Sequence, residues 1–132
     1  MNCSLIPIER LKNIRSDGVY KITLPFPPSV NGYWRAIKRG KICANILSQK
    51  GREYKDEVKA LIGDIKPLEG RLAVYIELCP PDRRRRDIDN YTKALLDSLT
   101  ESGVWLDDEQ IDYLIIARGE RDNCAKVAID FC

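Results

Sequence analysis

The chain has 132 residues, 44% hydrophobic and 32% charged, and its 22 Lys and Arg against 20 Asp and Glu leave a formal charge of only +2. That length suits one domain with its own core; the near balance excludes a protein that coats polyanions by bulk charge, and the hydrophobic fraction excludes a disordered tail. The mean hides opposed blocks, because residues 33–59 carry eight Lys and Arg against three acids whereas residues 94–132 carry three against nine.

No internal repeat or low-complexity linker divides the sequence, which reads as an appendage (1–18) followed by one domain (19–132). The appendage suggests a short helix from Pro7 to just before Ser16-Asp17-Gly18. Met1 to Pro7 lacks the basic flank and apolar core of a signal peptide, and no apolar run approaches the roughly 20 residues that span a bilayer. A soluble cytoplasmic protein with no membrane partner is expected. Val19 to Leu24 alternates Tyr20, Ile22 and Leu24 on one face, the period of a half-buried strand, and is expected to stop at Pro25-Phe26-Pro27-Pro28. The next stretch, Asn31 to Lys41, reads as a basic and aromatic loop with Tyr33, Trp34, Arg35, Lys38, Arg39 and Lys41.

Ser48 is placed to cap a helix running to about Ile62, with Tyr54, Val58, Leu61 and Ile62 as its apolar stripe and Gly63 at its end. Leu72, Val74, Ile76 and Leu78 alternate as a second strand that ends at Pro80-Pro81. A second helix is expected over roughly Asp89 to Glu101, with Tyr91, Leu95 and Leu99 inward. A hairpin follows: one strand from about Gln110 to Ala117, a polar turn through Glu120 to Asn123, then Ala125, Val127, Ile129 and Phe131 alternating inward. The order β, α, β, α, β, β predicts an α+β domain with a mixed or antiparallel sheet and two main helices. Five cysteines, at 3, 43, 79, 124 and 132, form an odd set with no CxxC pair. They read as ordinary thiols of a reducing compartment.

Histidine is absent, which removes Ser-His-Asp, Cys-His and imidazole-base chemistry together. Hydrolysis by this chain must use carboxylates, lysine, tyrosine or a metal ion. The least ordinary stretch is Pro80 to Asn90, where Arg83, Arg84, Arg85 and Arg86 lie between Asp82 and Asp87-Ile88-Asp89. In extended chain Asp87 and Asp89 project to one side. Two such carboxylates repel unless protonated or bridged, and a hard ion such as Mg2+ suits them. Asp89, Lys93 and Asp97 follow at four-residue spacing, a shared helix face that is also an everyday solvated pattern. A third carboxylate is expected in Trp105-Leu106-Asp107-Asp108-Glu109-Gln110. Asp107 with Gln110 fits a capping box, and spacing leaves open which of Asp107, Asp108 and Glu109 is the ligand. Four arginines beside these acids offer guanidinium forks for phosphate next to a cation site, a reading favoured over a merely solvated charge run.

These residues resemble the RusA family of Holliday-junction resolvases, small dimeric endonucleases of bacteria and prophages. The likeness rests on Asp82 to Asn90, Lys93-Ala94, Asp97-Ser98-Leu99 and Trp105 to Asp108, with Leu24 to Asn31, Tyr33-Trp34-Arg35 and Ser48 to Val58 in support. It implies Asp87, Asp89 and Asp108 as metal-binding residues, Lys93 as a lysine needed for cleavage, and Arg83, Arg84, Arg85 and Arg86 as a DNA-contacting loop. It further implies a homodimer, Mg2+ with Mn2+ as its substitute, four-way or other branched DNA as the partner, and a place at the bacterial nucleoid. Arg35, Lys38, Arg39 and Lys41 would add phosphate contacts, and Tyr33 or Trp34 would stack on an unpaired base. Two other functions fit the same residues: a branched-DNA-binding protein of phage origin without cleavage, and a nuclease for other branched DNA.

Overall fold

The computed structural model describes residues 20–132, so the helix expected from Pro7 lies outside the described residues. The alternation at Tyr20, Ile22 and Leu24 builds β1 (Tyr20–Pro25). Pro25 remains its last paired residue, opposite Cys124, because β1 is an edge strand, where proline is tolerated.

The expected loop from Asn31 to Lys41 is instead a one-turn helix and most of a hairpin. Ser29 caps α1 (Val30–Tyr33) by accepting the Gly32 amide at 3.1 Å. Then β2 (Trp34–Arg39) pairs antiparallel with β3 (Ile42–Leu47) as a separate two-stranded sheet. Gly40, at φ 61°, opens the two-residue turn between them. The basic side chains disguise this ribbon in the sequence, since neither of its faces is continuously apolar.

Ser48 begins α2 (Gln49–Ile62), as expected. Its hydroxyl accepts the Gly51 amide at 2.9 Å and donates to the Gly32 carbonyl at 2.5 Å, so one residue caps α2 and ties it to α1. Tyr54 and Val58 are buried, but Leu61 is 54% exposed. The four-residue row passes through Ile62 instead, which packs at the margin of the core.

The strand β4 (Leu72–Cys79) is buried at seven of its eight positions. Leu72, Val74, Ile76 and Leu78 face the core with Tyr54, Val58, Trp105, Val127 and Ile129, while Ala73 and Tyr75 pack with Ala128 on the other face. The helix expected from Asp89 is split: a 3₁₀ turn (Ile88–Tyr91) precedes α3 (Thr92–Glu101), whose Leu95 and Leu99 are fully buried. A second 3₁₀ turn (Asp108–Gln110) leads into β5 (Ile111–Arg118), and β6 (Cys124–Phe131) follows.

These last two strands do not form the expected hairpin. The sheet order is β1-β6-β4-β5, with β4 parallel to β5 and antiparallel to β6. A strand apolar on both faces belongs in the middle of a sheet, with partners on both edges. The β5–β6 connection therefore passes around the end of β4, where the Gly119 amide donates to the Leu78 carbonyl at 2.8 Å and the Asp122 amide to Pro80 at 3.1 Å. The inward row of β6 stops at Ile129, leaving Phe131 43% exposed.

The result is an α+β domain with a mixed sheet and its two longer helices on one face. No helix among the described residues is long and apolar enough to cross a membrane. Cys43, Cys79, Cys124 and Cys132 are free thiols. Cys79 and Cys124 are partners across β4 and β6, and burial pushes the Cys124 thiol up to about 11.

Gly51 marks a close approach within this frame, because a Cβ there would strike the Tyr33 carbonyl oxygen. Propensity alone would favour alanine in a helix by about 1 kcal/mol. Contact with rigid backbone reverses the sign, and Gly51→Ala is expected to lower stability by about 1–3 kcal/mol, read as a reduced midpoint of urea unfolding.

Candidate active site

The end of β4 delivers the chain into an arginine-rich loop, and the loop is held by one acid. Asp82 Oδ1 accepts the Arg84 amide at 2.9 Å and Arg86 Nη1 at 2.7 Å. Arg86 thus turns inward: its side chain is 11% exposed, its guanidinium lies 5.7 Å from the Phe26 ring centroid, and its carbonyl accepts Arg118 Nη2 at 2.7 Å. Phe26 in turn packs on Tyr91 at 5.0 Å. Arg86 therefore anchors the loop, while Arg83, Arg84 and Arg85 stand exposed. These four consecutive arginines are distinguished by contacts the run of identical letters does not reveal.

Past the anchor, Asp87 precedes the first 3₁₀ turn and Asp89 lies in it, both exposed. The Asp87 side chain does not cap the turn, and among the described residues no side chain pairs with either carboxylate. The winding also alters the expected Asp89–Lys93–Asp97 face. A 3₁₀ turn has about three residues per turn, so the four-residue spacing no longer stacks Asp89 on Lys93. Only the helical half survives as a pair, Lys93 Nζ to Asp97 Oδ1 at 3.3 Å.

The turn before β5 gives its three acids different partners. Asp107 and Gln110 form the capping box: Asp107 Oδ1 accepts the Glu109 amide at 3.2 Å, and Gln110 Oε1 accepts the Asp107 amide at 3.1 Å. Glu109 faces outward to Arg71, at 3.0 Å. Asp108 is the carboxyl directed toward α3. Hydrogen bonding to Asp107 holds it above the usual carboxylate range; burial and the Asp97 charge act the same way, and Lys93 opposes them. Asp97, which the sequence left between a charged site and a solvated helix face, thus belongs to the group around Asp108.

The candidate acids thus divide, Asp87 and Asp89 at the start of the first 3₁₀ turn and Asp108 with Lys93 and Asp97 on the helix side. Among the described residues no three acidic or thiol groups close into one metal-holding set. The donor chemistry nevertheless fits a hard cation, since every candidate is a carboxylate oxygen and Asp108 is crowded by acids whose repulsion a cation would relieve.

The basic residues at 33–41 are carried by the ribbon. Arg35, Lys38, Arg39 and Lys41 are all exposed. Strand alternation puts Arg35 and Arg39 on one face and Lys38 on the other. Tyr33 is 1% exposed and meets Trp34 edge-on at 5.3 Å, so it is a core residue and cannot stack on a base. Trp34 remains half-buried.

The sequence profile of the family described as Endodeoxyribonuclease RusA matches residues 25–131. The chain is 42% identical over 103 residues to the crossover junction endodeoxyribonuclease rusA of Enterobacteria phage HK97, covering 76% of this chain and 82% of that protein. It is 44% identical over 101 residues to the proteins of that name from Shigella sonnei (strain Ss046) and Escherichia coli (strain K12), covering 74% of this chain and 81% of each.

The loop anchor has a pH signature. Hydrogen bonds from Arg86 and from the Arg84 amide lower the Asp82 carboxyl to about 2. A depressed folded-state pKa contributes stability that is complete above the unfolded value of about 3.9 and disappears as pH falls through the folded one. Asp82→Asn is expected to melt below the wild type near pH 6, with the gap closing between about pH 4 and 2 in calorimetric scans.

Proposed function

The chain belongs to the RusA family of endodeoxyribonucleases, and from that premise we propose that it resolves four-way DNA junctions by paired symmetric nicks. The observation that carries this reading is the pairing of Lys93 with Asp97, both acting on the Asp108 carboxyl, on a helix that directly follows the loop exposing Asp87, Asp89 and three arginines. Cationic groups for phosphate and hard oxygen donors for a cation are thus presented by successive elements of the chain, the two kinds of group that phosphodiester hydrolysis requires.

Arg83, Arg84 and Arg85 bind backbone phosphates, with Arg86 holding their loop to Asp82 and Phe26. The ribbon adds Arg35, Lys38, Arg39 and Lys41; a two-stranded ribbon matches the width of a DNA major groove, and charges on both its faces reach phosphates on either side. Trp34 is the ring available to stack at the ribbon's base. Asp87, Asp89 and Asp108 would hold Mg2+, with Mn2+ as its substitute, and such an ion polarises the phosphodiester. With no histidine in the chain, a carboxylate of this set accepts the proton of the attacking water. Lys93 places its ammonium where negative charge grows in the transition state, exchanging its ion pair with Asp97 for the phosphate. A homodimer with two-fold symmetry supplies two such sites, one for each nick.

A labelled four-way junction, incubated with and without Mg2+ and compared with three-way and linear duplexes, tests the reading. The wild type is expected to nick the four-way junction in Mg2+, and Asp89→Asn to lose nicking by about 100-fold or more while retaining junction binding. Mg2+-dependent nicking that persists in Asp89→Asn would overturn the site. Binding without cleavage by the wild type would identify a binding module, and equal cleavage of the other branched substrate a broader nuclease.

A further inference from the structure

The turn that presents Asp108 is braced from inside and outside by residues that make no contact with DNA in the reading above. Inside lies Gln110, 9% exposed and one of two buried polar residues of the described chain. Its amide is saturated. Oε1 accepts the Leu106 amide at 2.8 Å and the Asp107 amide at 3.1 Å, while Nε2 donates to the Leu68 carbonyl at 2.9 Å and the Gly70 carbonyl at 3.0 Å. A side-chain amide has two donors and two acceptor lone pairs, and all four are used. One side chain therefore fastens residues 106–107 to the segment 68–70, where Leu68 also donates to the Val104 carbonyl at 2.8 Å.

Outside lies Arg71. It donates to the Glu109 carbonyl at 2.7 Å and to Glu109 Oε1 at 3.0 Å, and grips Asp112 Oδ1 through Nε at 2.9 Å and Nη2 at 2.6 Å. The residues flanking Asp108 on both sides, Asp107 and Glu109, are thus spent on holding the turn. Asp108, whose carboxyl is hydrogen-bonded to Asp107, is the acid of the turn on which the charges of Lys93 and Asp97 act.

We propose that Gln110 is a positioning residue for the metal site: its four hydrogen bonds set the backbone from which Asp108 projects, with Arg71 as the outer brace. This rests on the reading of Asp108 as a metal ligand. Outer partners that orient a ligand typically change metal affinity by about 10- to 100-fold when removed. An amide that only filled space would leave that affinity unchanged.

The test is Mn2+ binding by the full chain without DNA, measured by calorimetry on the wild type, Asp108→Asn, Gln110→Met, Arg71→Met and a core control, Ile129→Val. Gln110→Met keeps the side chain's length and removes its hydrogen bonds; it is expected to weaken Mn2+ binding by about 10- to 100-fold, with nicking recovering at saturating Mn2+. Arg71→Met, at an exposed site, is expected to weaken it less, and it carries the test alone should Gln110→Met not fold. Affinity within about two-fold of wild type for the tested brace, with Asp108→Asn deficient, would overturn the positioning role while leaving the site intact. An equal loss in Ile129→Val would reduce Gln110 to a structural residue and overturn it too. Undiminished binding by Asp108→Asn would overturn the ligand reading itself, and the inference with it.

Discussion

The geometry of the site depends on the double-sided burial of β4. A strand apolar on both faces has to lie inside the sheet, and once there it separates β5 from β6 and forces the chain between them around its end. The same end releases the arginine loop. Both the loop and the β5–β6 connection are pinned to it: Gly119 bonds Leu78, Asp122 bonds Pro80, and Arg118 reaches across to the Arg86 carbonyl. The core thus dictates where the charged residues emerge.

A loop carrying four consecutive arginines would scatter through mutual repulsion if nothing drew it together. Asp82 supplies the counter-charge, and the result is a division of labour within the run. Arg86 exchanges solvent for Asp82, for the face of Phe26 and for the shelter of Tyr91. Its neighbours retain exposed forks, the form in which a guanidinium can take a phosphate. The formal charge of +2 says nothing about this arrangement, since it averages an exposed basic ribbon and loop with acids collected between α3 and β5.

Legibility followed the range of the interaction. The caps at Ser48 and Asp107, the ends of α2 and the core row Leu72, Val74, Ile76 and Leu78 were readable because each depends on residues a few positions apart. The ribbon was concealed because its alternation carries exposed charge where a strand in a sandwich would carry apolar groups. The β5–β6 hairpin was expected because neighbours in sequence usually pair, a tendency that gives way here to a third strand whose residues lie about forty positions upstream of their partners in β5. Asp97 and Gln110 were seen but not assigned their long-range partners: one fitted a solvated helix face as well as a charged site, and the other was read only as half of a cap.

Local chemistry, then, was set by the order of residues: the kinds of charged group the chain offers, that no imidazole takes part, which hydroxyls and carboxylates cap, and the family to which such a pattern belongs. The fold settled assignments among equivalent groups. It separated Arg86 from Arg83, Arg84 and Arg85, Asp108 from Asp107 and Glu109, and Trp34 from Tyr33. Those distinctions arise from contacts with Phe26, Arg71, Leu68 and the core, partners far away along the chain. Such partners come into reach only when burial of β4 has closed the sheet, so spacing along the chain carries no record of them.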